Sequence, residues 1–415
     1  MLTGSHTYVG FGFGAIQSGL FLYEAFRSGA YRRLVIAEVV PEVVDAIRRG
    51  GDRFSVNIAH ADRIEQASVG PIEMENPAVE ADRERLVAAI AEAEAIGTAV
   101  PSVANYVSEG PGSLHRILAA GLRRKAAGDG PRSVVYAAEN HNHAAEILEE
   151  SVRAEIPAAE RDAALFRVRF LDTVIGKMSG LAPVTPGSPR AFLVEAFNRI
   201  LITKIRFDEP FRRGIQVFEE KDDLLPFEEA KLHGHNATHA LAAYLGAARG
   251  VPLIADLRGV PGMMPFLRAA FVEESGEALI RKHAGLDPLF TREGYARYAD
   301  DLLARMTNPH LRDTVERVGR DPARKLGWDD RLIGTMRLAL RAGVTPRRFA
   351  LGAAAALRAL DPRERPAAET LVPLWKGADR AELDPVLRLI EEGRSRLKEW
   401  LRPSSPDLDR LLQSY

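Results

Sequence analysis

Cysteine is absent from the 415 residues. That removes disulfides, thiolate nucleophiles and Cys-ligated zinc, and it suits a reducing, cytoplasmic setting. An excess of one charge is missing too, because 56 basic residues stand against 57 acidic ones, for a net charge of −1. So balanced a chain offers no bulk positive field to a phosphate backbone, and nucleic acid is not an expected partner. No apolar run reaches the roughly 18 uninterrupted residues of a membrane span, so no membrane partner is expected either. The opening MLTGSHTYVGFGFG has no basic stretch followed by an apolar one. It reads as the first strand of a domain rather than as a signal peptide. No fixed-period repeat is present, and the Ala-rich GAAAALRAL is a helix, not low complexity.

What is there is the composition of a globular protein, with 46% apolar and 27% charged residues. The length exceeds what one ordinary core serves, so two domains are expected, at residues 1–200 and 201–415. In the first, short β-rich runs alternate with helical ones. SHTYVGFG leads into AIQSGLFLYEAFRSG, and RRLVIAEV leads into PEVVDAIRRG, where Pro41 suits a first helical turn and Gly50 a stop. AIGTAVPSV and PRSVVYAAEN are further strands, separated by the helix GSLHRILAAGLRRKAAGDG, while RIEQASVGPIEMENP reads as an inserted extended piece. This alternation predicts an α/β fold with a parallel, doubly wound sheet. APVTPGSP reads as a loop near the domain junction. Beyond about Phe207 apolar positions recur at helical spacing, as in RLIGTMRLALRAG and DPVLRLIEEGRSRLKEWL, so the second domain is expected to be mainly α-helical.

The run GFGFGAIQSG carries a dinucleotide fingerprint in either of two registers. One is Gly10-x-Gly12-x-x-Ala15; the other is Gly12-x-Gly14, with Gln17 where a third small residue is usual. In both, glycine lets bare backbone approach a pyrophosphate at the positive end of the next helix. The second strand then ends in Glu38, a carboxylate suited to ribose hydroxyls and repulsive to a 2′-phosphate. Val39 and Val40 follow, with no arginine to welcome that phosphate, so NAD is expected over NADP.

KLHGHNATH, Lys231–His239, gathers a lysine, an asparagine and three of the ten histidines into nine residues. Three readings stand: a wet helix surface, a metal site, or a reaction centre. At roughly 100° per residue, Lys231, Asn236 and His239 fall within an arc of roughly 140° on a helix. Such a set can converge on one oxygen. A desolvated, neutral lysine takes a proton from an alcohol, while an amide and an imidazole N–H hold the developing oxyanion. The carbon then gives up hydride to a nicotinamide. The metal reading would use His233, His235 and His239, with His141 and His143 from AENHNHAAE. His233 and His235 lie roughly 200° apart on a regular helix and could share one ion only if it broke at Gly234.

KLHGHNATHALAAYLG resembles the Lys-x4-Asn-x2-His signature of the long-chain polyol dehydrogenases, the mannitol dehydrogenase family. The resemblance covers nearly the whole chain. GFGAIQSGLF from Gly12 matches the family's glycine loop and so selects the second register. TAVPSV, YAAEN, FVEESGEALI and NPHLRDTVERVGRDPARKL follow in family order, the last two most similar to the mannitol-1-phosphate branch. The resemblance implies an N-terminal Rossmann-type NAD-binding domain, a helical substrate and catalytic domain, and a site in the cleft between them. It implies Lys231 as general base and Asn236 and His239 as oxyanion holders, without a metal. It further implies Asn140, Arg317, Arg320 and Lys325 at the substrate, and Gly12, Gly14, Ala15, Ile16, Glu38, Thr98 and Val100 at the cofactor. In a phosphate-specific branch, Arg317, Arg320, Arg324 or Lys325 would clamp the phosphate. A bland reading stands beside this, a surface network with Asp313, Glu316 and Asp321.

There are departures. Gln17 replaces a customary glycine, Pro101 follows TAV, and Gly176 stands where the family has an aspartate. The last removes a substrate-site carboxylate. HNHAAE after Asn140 is also unusual and reads better as the start of a helix than as a substrate contact. The expectation is an NAD-dependent oxidoreductase acting on a polyol phosphate, at best mannitol 1-phosphate to fructose 6-phosphate. Alternatives are a free polyol, a keto-uronate, a non-catalytic NAD sensor, and a metal-dependent hydrolase. The chain is expected as a monomer or homodimer.

Overall fold

A computed structural model describes residues 5–183, 189–197, 199–403 and 407–413. The chain forms two compact units, Met1–Leu225 and Pro226–Tyr415. Most of the APVTPGSP loop lies outside the described residues.

Among the described residues the first unit carries twelve strands: β1 (His6–Phe11), β2 (Tyr31–Ala37), β3 (Phe54–Ala59), β4 (Ile64–Val69), β5 (Glu73–Glu75), β6 (Ala95–Thr98), β7 (Ser133–Ala137), β8 (Val168–Ile175), β9 (Ser179–Leu181), β10 (Ala191–Glu195), β11 (Ile200–Thr203) and β12 (Phe218–Lys221). Its helices are α1 (Tyr23–Ser28), α2 (Pro41–Arg49), α3 (Glu80–Glu92), α4 (Leu114–Ala127), α5 (Ala144–Glu155) and α6 (Arg161–Phe166). Eight strands form one sheet in the order β12-β11-β8-β7-β6-β1-β2-β5, parallel except where β11 meets β8. Its central strands are apolar on both faces, as a parallel sheet covered on both sides requires. In β1, Tyr8 packs into one core while Val9 and Phe11 pack into the other. The alternation repeats in β2, with Leu34 and Ile36 against Val35 and Ala37. One core is closed by α3, α4 and α5 through Leu86, Ile90, Leu118, Leu122, Leu148 and Val152. The other is closed by the helix after β1, by α2 and by a second sheet, β4-β3-β10-β9. The inserted extended segment therefore splits its duties: β4 joins the small sheet and β5 edges the large one. Chain order reverses at β1, between β2 and β6, the switch point at whose carboxyl ends ligands bind in such sheets.

The division falls after Leu225, later than the expected boundary at 200. The reason is that β11 and β12 complete the large sheet. The strand Phe218–Lys221 also lies beyond Phe207, where mainly helices were expected; FEEK has too little apolar pattern to announce itself.

The second unit is helical: α7 (Leu225–Glu229, entering from the boundary), α8 (Ala237–Ala248), α9 (Met263–Ala269), α10 (Glu277–Lys282), α11 (Arg292–Met306), α12 (Val315–Gly319), α13 (Pro322–Lys325), α14 (Ile333–Arg341), α15 (Arg347–Leu360), α16 (Ala367–Leu371), α17 (Arg380–Trp400) and α18 (Leu408–Gln413). The Ala-rich α8 is buried on nearly every side, packed by α12 and α15. Among the described residues no helix is long and apolar enough to cross a membrane.

Candidate active site

In the first unit the chain leaves β1 at Phe11 and turns at Gly12, whose φ of +86° lies where side chains are strained. A Cβ there would also stand 2.8 Å from the Ala99 carbonyl oxygen. Gly14 is exposed with open space around it, and Ala15 and Ile16, half-buried, enter the helix. That helix begins as a π-helical turn, Gln17–Leu22, before relaxing into α1. Gln17 is wholly buried and donates from Nε2 to the Tyr8 hydroxyl at 2.7 Å. It lies over Gly10 in β1, where a Cβ would collide with its amide. The large residue on the helix is thus matched by a missing side chain on the strand, so the departure at Gln17 leaves the helix seated.

Glu38, at the end of β2, accepts from the backbone N–H of Phe13 at 2.9 Å and from that of Val40 at 2.9 Å. Its carboxylate is tied to the glycine loop, with lone pairs still available. Val39 beside it is 70% exposed. At the end of β6, Thr98 donates to Glu139 at 2.9 Å, and the Val100 N–H donates to the same carboxylate at 2.9 Å; Tyr106 also donates to it. Glu139, buried, is the strut of this loop cluster. The expected contacts Thr98 and Val100 therefore support the loop through Glu139, and Asn140, exposed, follows it directly. His141 and His143 are exposed; the His143 N–H donates to His141 Nδ1 at 3.1 Å, and His143 caps α5. They start the helix.

In the second unit, none of Lys231–His239 is exposed, so the wet-surface reading does not describe this stretch. Nor is the helix regular: Ala230–Asn236 is a second π-helical turn, leading into α8. The 100° wheel is therefore corrected. An i→i+5 turn takes more residues than a regular one, so Lys231 and Asn236 stand nearer to one face than the roughly 140° of a regular helix. His239 follows in the first turn of α8. The turn closes against a third π-helical turn, Ala270–Gly276, and against α11. Gly234 permits the approach, since a Cβ there would stand 2.5 Å from Phe271 Cε2 and 2.6 Å from the Tyr295 hydroxyl.

The electrostatics follow from that dry packing. Burial, reinforced by the Arg331 guanidinium and opposed by Glu228, lowers the Lys231 pKa to about 8. Burial lowers His233 to about 4 and its Nδ1 lies 3.0 Å from the Thr335 hydroxyl. His235 is held well below its ordinary value by burial first, then by His239, Arg305, Lys231 and Arg331. His239 Nε2 lies 3.1 Å from Asp313 Oδ2. The three histidines thus face different surroundings, and among the described residues no three His, Asp or Glu side chains are grouped to hold a metal ion.

The basic run divides. Arg317 donates to Asp313 at 2.8 Å and Arg324 to Asp321 at 3.0 Å, the surface-network arrangement. Arg320 is exposed, and its carbonyl accepts from the Lys325 ammonium. Lys325 is buried, and its pKa is lowered to about 8 by burial, then by Arg331 and Arg324. Arg331, which no motif marked, is the cation common to Lys231, His235 and Lys325; its Nε donates to Asp330 at 2.7 Å. Its signal in WDDRL was an arginine beside an acidic pair, indistinguishable from a surface ion pair.

A Rossmann-type sheet with a glycine loop, followed by a helical unit with a buried lysine, defines the class of two-domain nucleotide-dependent folds. Residues 223–391 match the mannitol dehydrogenase C-terminal domain. Over 359 residues the chain is 33% identical to mannitol-1-phosphate 5-dehydrogenase of Arthrobacter sp. (strain FB24), covering 85% of each. Over 352 residues it is 31% identical to the protein of that name from Bacillus licheniformis, covering 84% of this chain and 86% of that one. The chain belongs to the mannitol dehydrogenase family. The fold is shared with Pseudomonas fluorescens mannitol 2-dehydrogenase, solved with NAD and D-mannitol, at a TM-score of 0.70 and 17% identity over 100% of this chain and 96% of that one. It is shared also with a substrate-free D-sorbitol dehydrogenase, at a TM-score of 0.74 and 14% identity over 96% and 94%.

Proposed function

We propose that the protein is an NAD-dependent dehydrogenase that oxidises a secondary hydroxyl of a polyol phosphate, with mannitol 1-phosphate and fructose 6-phosphate as the pair interconverted. The observation that carries this reading is the lysine desolvated in a π-helical turn that also carries Asn236. Family membership supports it, since the Arthrobacter and Bacillus relatives are named for that activity.

The first unit, 1–225, is the NAD domain in this reading, and its residues fit the dinucleotide. The cradle at Gly12 is one that a Cβ would fill, Gly14 leaves backbone bare at the start of the helix, and Glu38 stands at the end of β2 for the ribose. Ala15, Ile16, Thr98 and Val100 would complete the loops around it, and Asn140 would meet the nicotinamide and substrate. Bound NAD supplies the hydride acceptor.

The second unit supplies the acid–base chemistry. Lys231, neutral above about pH 8, takes the hydroxyl proton as the carbon gives up hydride. The Asn236 amide donates to the oxygen on which charge develops. His239 is a further polar contact to the substrate. Burial first, and then the repulsion of Arg331 and Arg324, depress the Lys325 pKa. A phosphate beside them would relieve that repulsion, which supports a phosphorylated substrate held by Lys325 and Arg331. One observation favours a free polyol instead: Arg317 and Arg324 are already neutralised by aspartates.

A screen of NADH absorbance across hexitols, hexitol phosphates, ketose phosphates and keto-uronates, with and without EDTA, tests this. The expected result is the highest kcat/KM for a hexitol phosphate and its ketose partner, unchanged by EDTA. A free hexitol turned over best removes the phosphate. No turnover on any removes the enzyme, and loss with EDTA restores a metal.

A further inference from the structure

The buried carboxylate of Asp313 has no place in the proton transfer just described, yet it meets one of its residues. Oδ2 lies 3.1 Å from His239 Nε2, while Oδ1 accepts from Arg317 Nε at 2.8 Å. Both Nε2 and Oδ2 are shielded from solvent, and among the described residues neither has another hydrogen-bond partner. Each can be satisfied only by the other, and a small rotation of the imidazole aligns them. The carboxylate sits on fixed backbone: the Asp313 carbonyl accepts from the Ile254 N–H at 2.9 Å, and Leu253 bridges Thr314.

We infer that Asp313 is a positioning residue that holds His239 as the tautomer protonated at Nε2, so that Nδ1 is the nitrogen offered to a substrate hydroxyl. The argument is one of donors and acceptors. An ionised carboxylate only accepts, so the nitrogen facing it must carry the proton, and the neutral ring then keeps its lone pair at Nδ1. Burial would push the Asp313 carboxyl up, but His239 and Arg317 outweigh it and hold it below the usual carboxylate range. The other groups around the ring do not reverse this. His235, with its ring centroid 6.2 Å away, is kept neutral by burial. Lys231, Arg305 and Arg331 are the cations that bear on His235, and Arg317 holds the other oxygen of Asp313. In its neutral form the ring is therefore an acceptor at Nδ1. It meets a hydroxyl, which a polyol carries on the carbons flanking the reacting one, rather than a ketone oxygen. This gives Arg317 a role different from the expected substrate contact: it anchors the carboxylate that orients the histidine.

The inference rests on the dehydrogenase reading for its substrate, but its first test does not. In protein labelled with 15N-histidine, imidazole correlation spectra of the ligand-free chain report the tautomer, with His239→Gln identifying the signal. The expected wild-type pattern is Nε2–H at pH 8, moving toward Nδ1–H or a mixture in Asp313→Asn and restored in Asp313→Glu. A wild-type ring protonated at Nδ1, or one unmoved by Asp313→Asn, overturns the inference, and the wild-type spectrum decides even if a variant fails to fold. In turnover, Asp313→Asn is expected to lower kcat/KM roughly 10- to 100-fold, the usual size of losing an orienting partner. The double variant with His239→Ala should fall no further than His239→Ala alone. Additive losses would refute the coupling. Spectra as expected with no polyol turned over would remove the dehydrogenase and leave the Asp313–His239 link standing.

Discussion

Two of the π-helical turns, Gln17–Leu22 and Ala230–Asn236, share one backbone irregularity leading into a helix and use it in opposite ways. In the first, the side chains are put away. Gln17 is buried against Tyr8, and what the loop offers at Gly12 and Gly14 is bare backbone. In the second, the irregularity serves the side chains: an i→i+5 turn draws Lys231 and Asn236 nearer to one face, and Gly234 lets that turn sink against Phe271 and Tyr295. A site that binds by backbone tolerates large side chains nearby, provided the strand opposite gives way as Gly10 does. A site that works by side chains depends on the register of its helix.

That contrast can be broken by exchanging the symptoms of damage. Lys231→Ala is expected to lower turnover by about a thousandfold or more, since general bases commonly contribute 10²–10⁴. NAD affinity, read by fluorescence titration, should stay within about twofold. Normal turnover would end the lysine's role. Gly12→Ala should do the reverse. A side chain at a φ of +86° and 2.8 Å from a carbonyl oxygen costs about 1–3 kcal/mol, so NAD should bind roughly 10- to 100-fold more weakly, with turnover largely recovered at saturation. Unchanged affinity would place the dinucleotide elsewhere.

Arg331→Met sharpens the second turn. KM for a hexitol phosphate should rise about tenfold or more, and that for a free hexitol should not. The pH profile carries a sign. With Lys231 as the proposed base, oxidation needs the neutral amine, so the rate should climb as pH rises through about 8. Burial depresses the Lys231 pKa first and Arg331 second, so removing Arg331 raises that pKa and moves the limb to higher pH. A limb that stayed or moved down would show that Arg331 does not act on the base. The smallest effect is expected at Glu38→Ser: a few-fold loss of NAD affinity and a relaxed preference against NADP. An unaltered NAD-to-NADP ratio would leave Glu38 as a brace of the glycine loop alone.

Much of the fold was legible before the structure. Strands that are apolar on both faces, helices bracketed by Pro41 and Gly50, and a glycine loop after the first strand are local patterns, and the parallel sheet follows from them. The strand Phe218–Lys221 was not legible, because FEEK pairs by position in the sheet rather than by pattern. The lysine signature was visible as a cluster, but its geometry was misread: a 3.6-residue wheel cannot anticipate an i→i+5 turn that packing imposes. Arg317 and Arg324 were visible as cations; that aspartates already hold them appears only with the fold. Glu139 sat unremarked in YAAEN until Thr98, Val100 and Tyr106 converged on it.

The residue order by itself determined the α/β class, the glycine loop with Glu38 behind it, and a chemistry without thiols, since each depends on residue type and short spacing. Which atoms stand together was decided by tertiary structure. Lys231 loses its water because distant helices close over it, and His239 meets a carboxylate carried on a separate segment. Desolvation and hydrogen-bond direction belong to the packed assembly, and no interval along the chain encodes them.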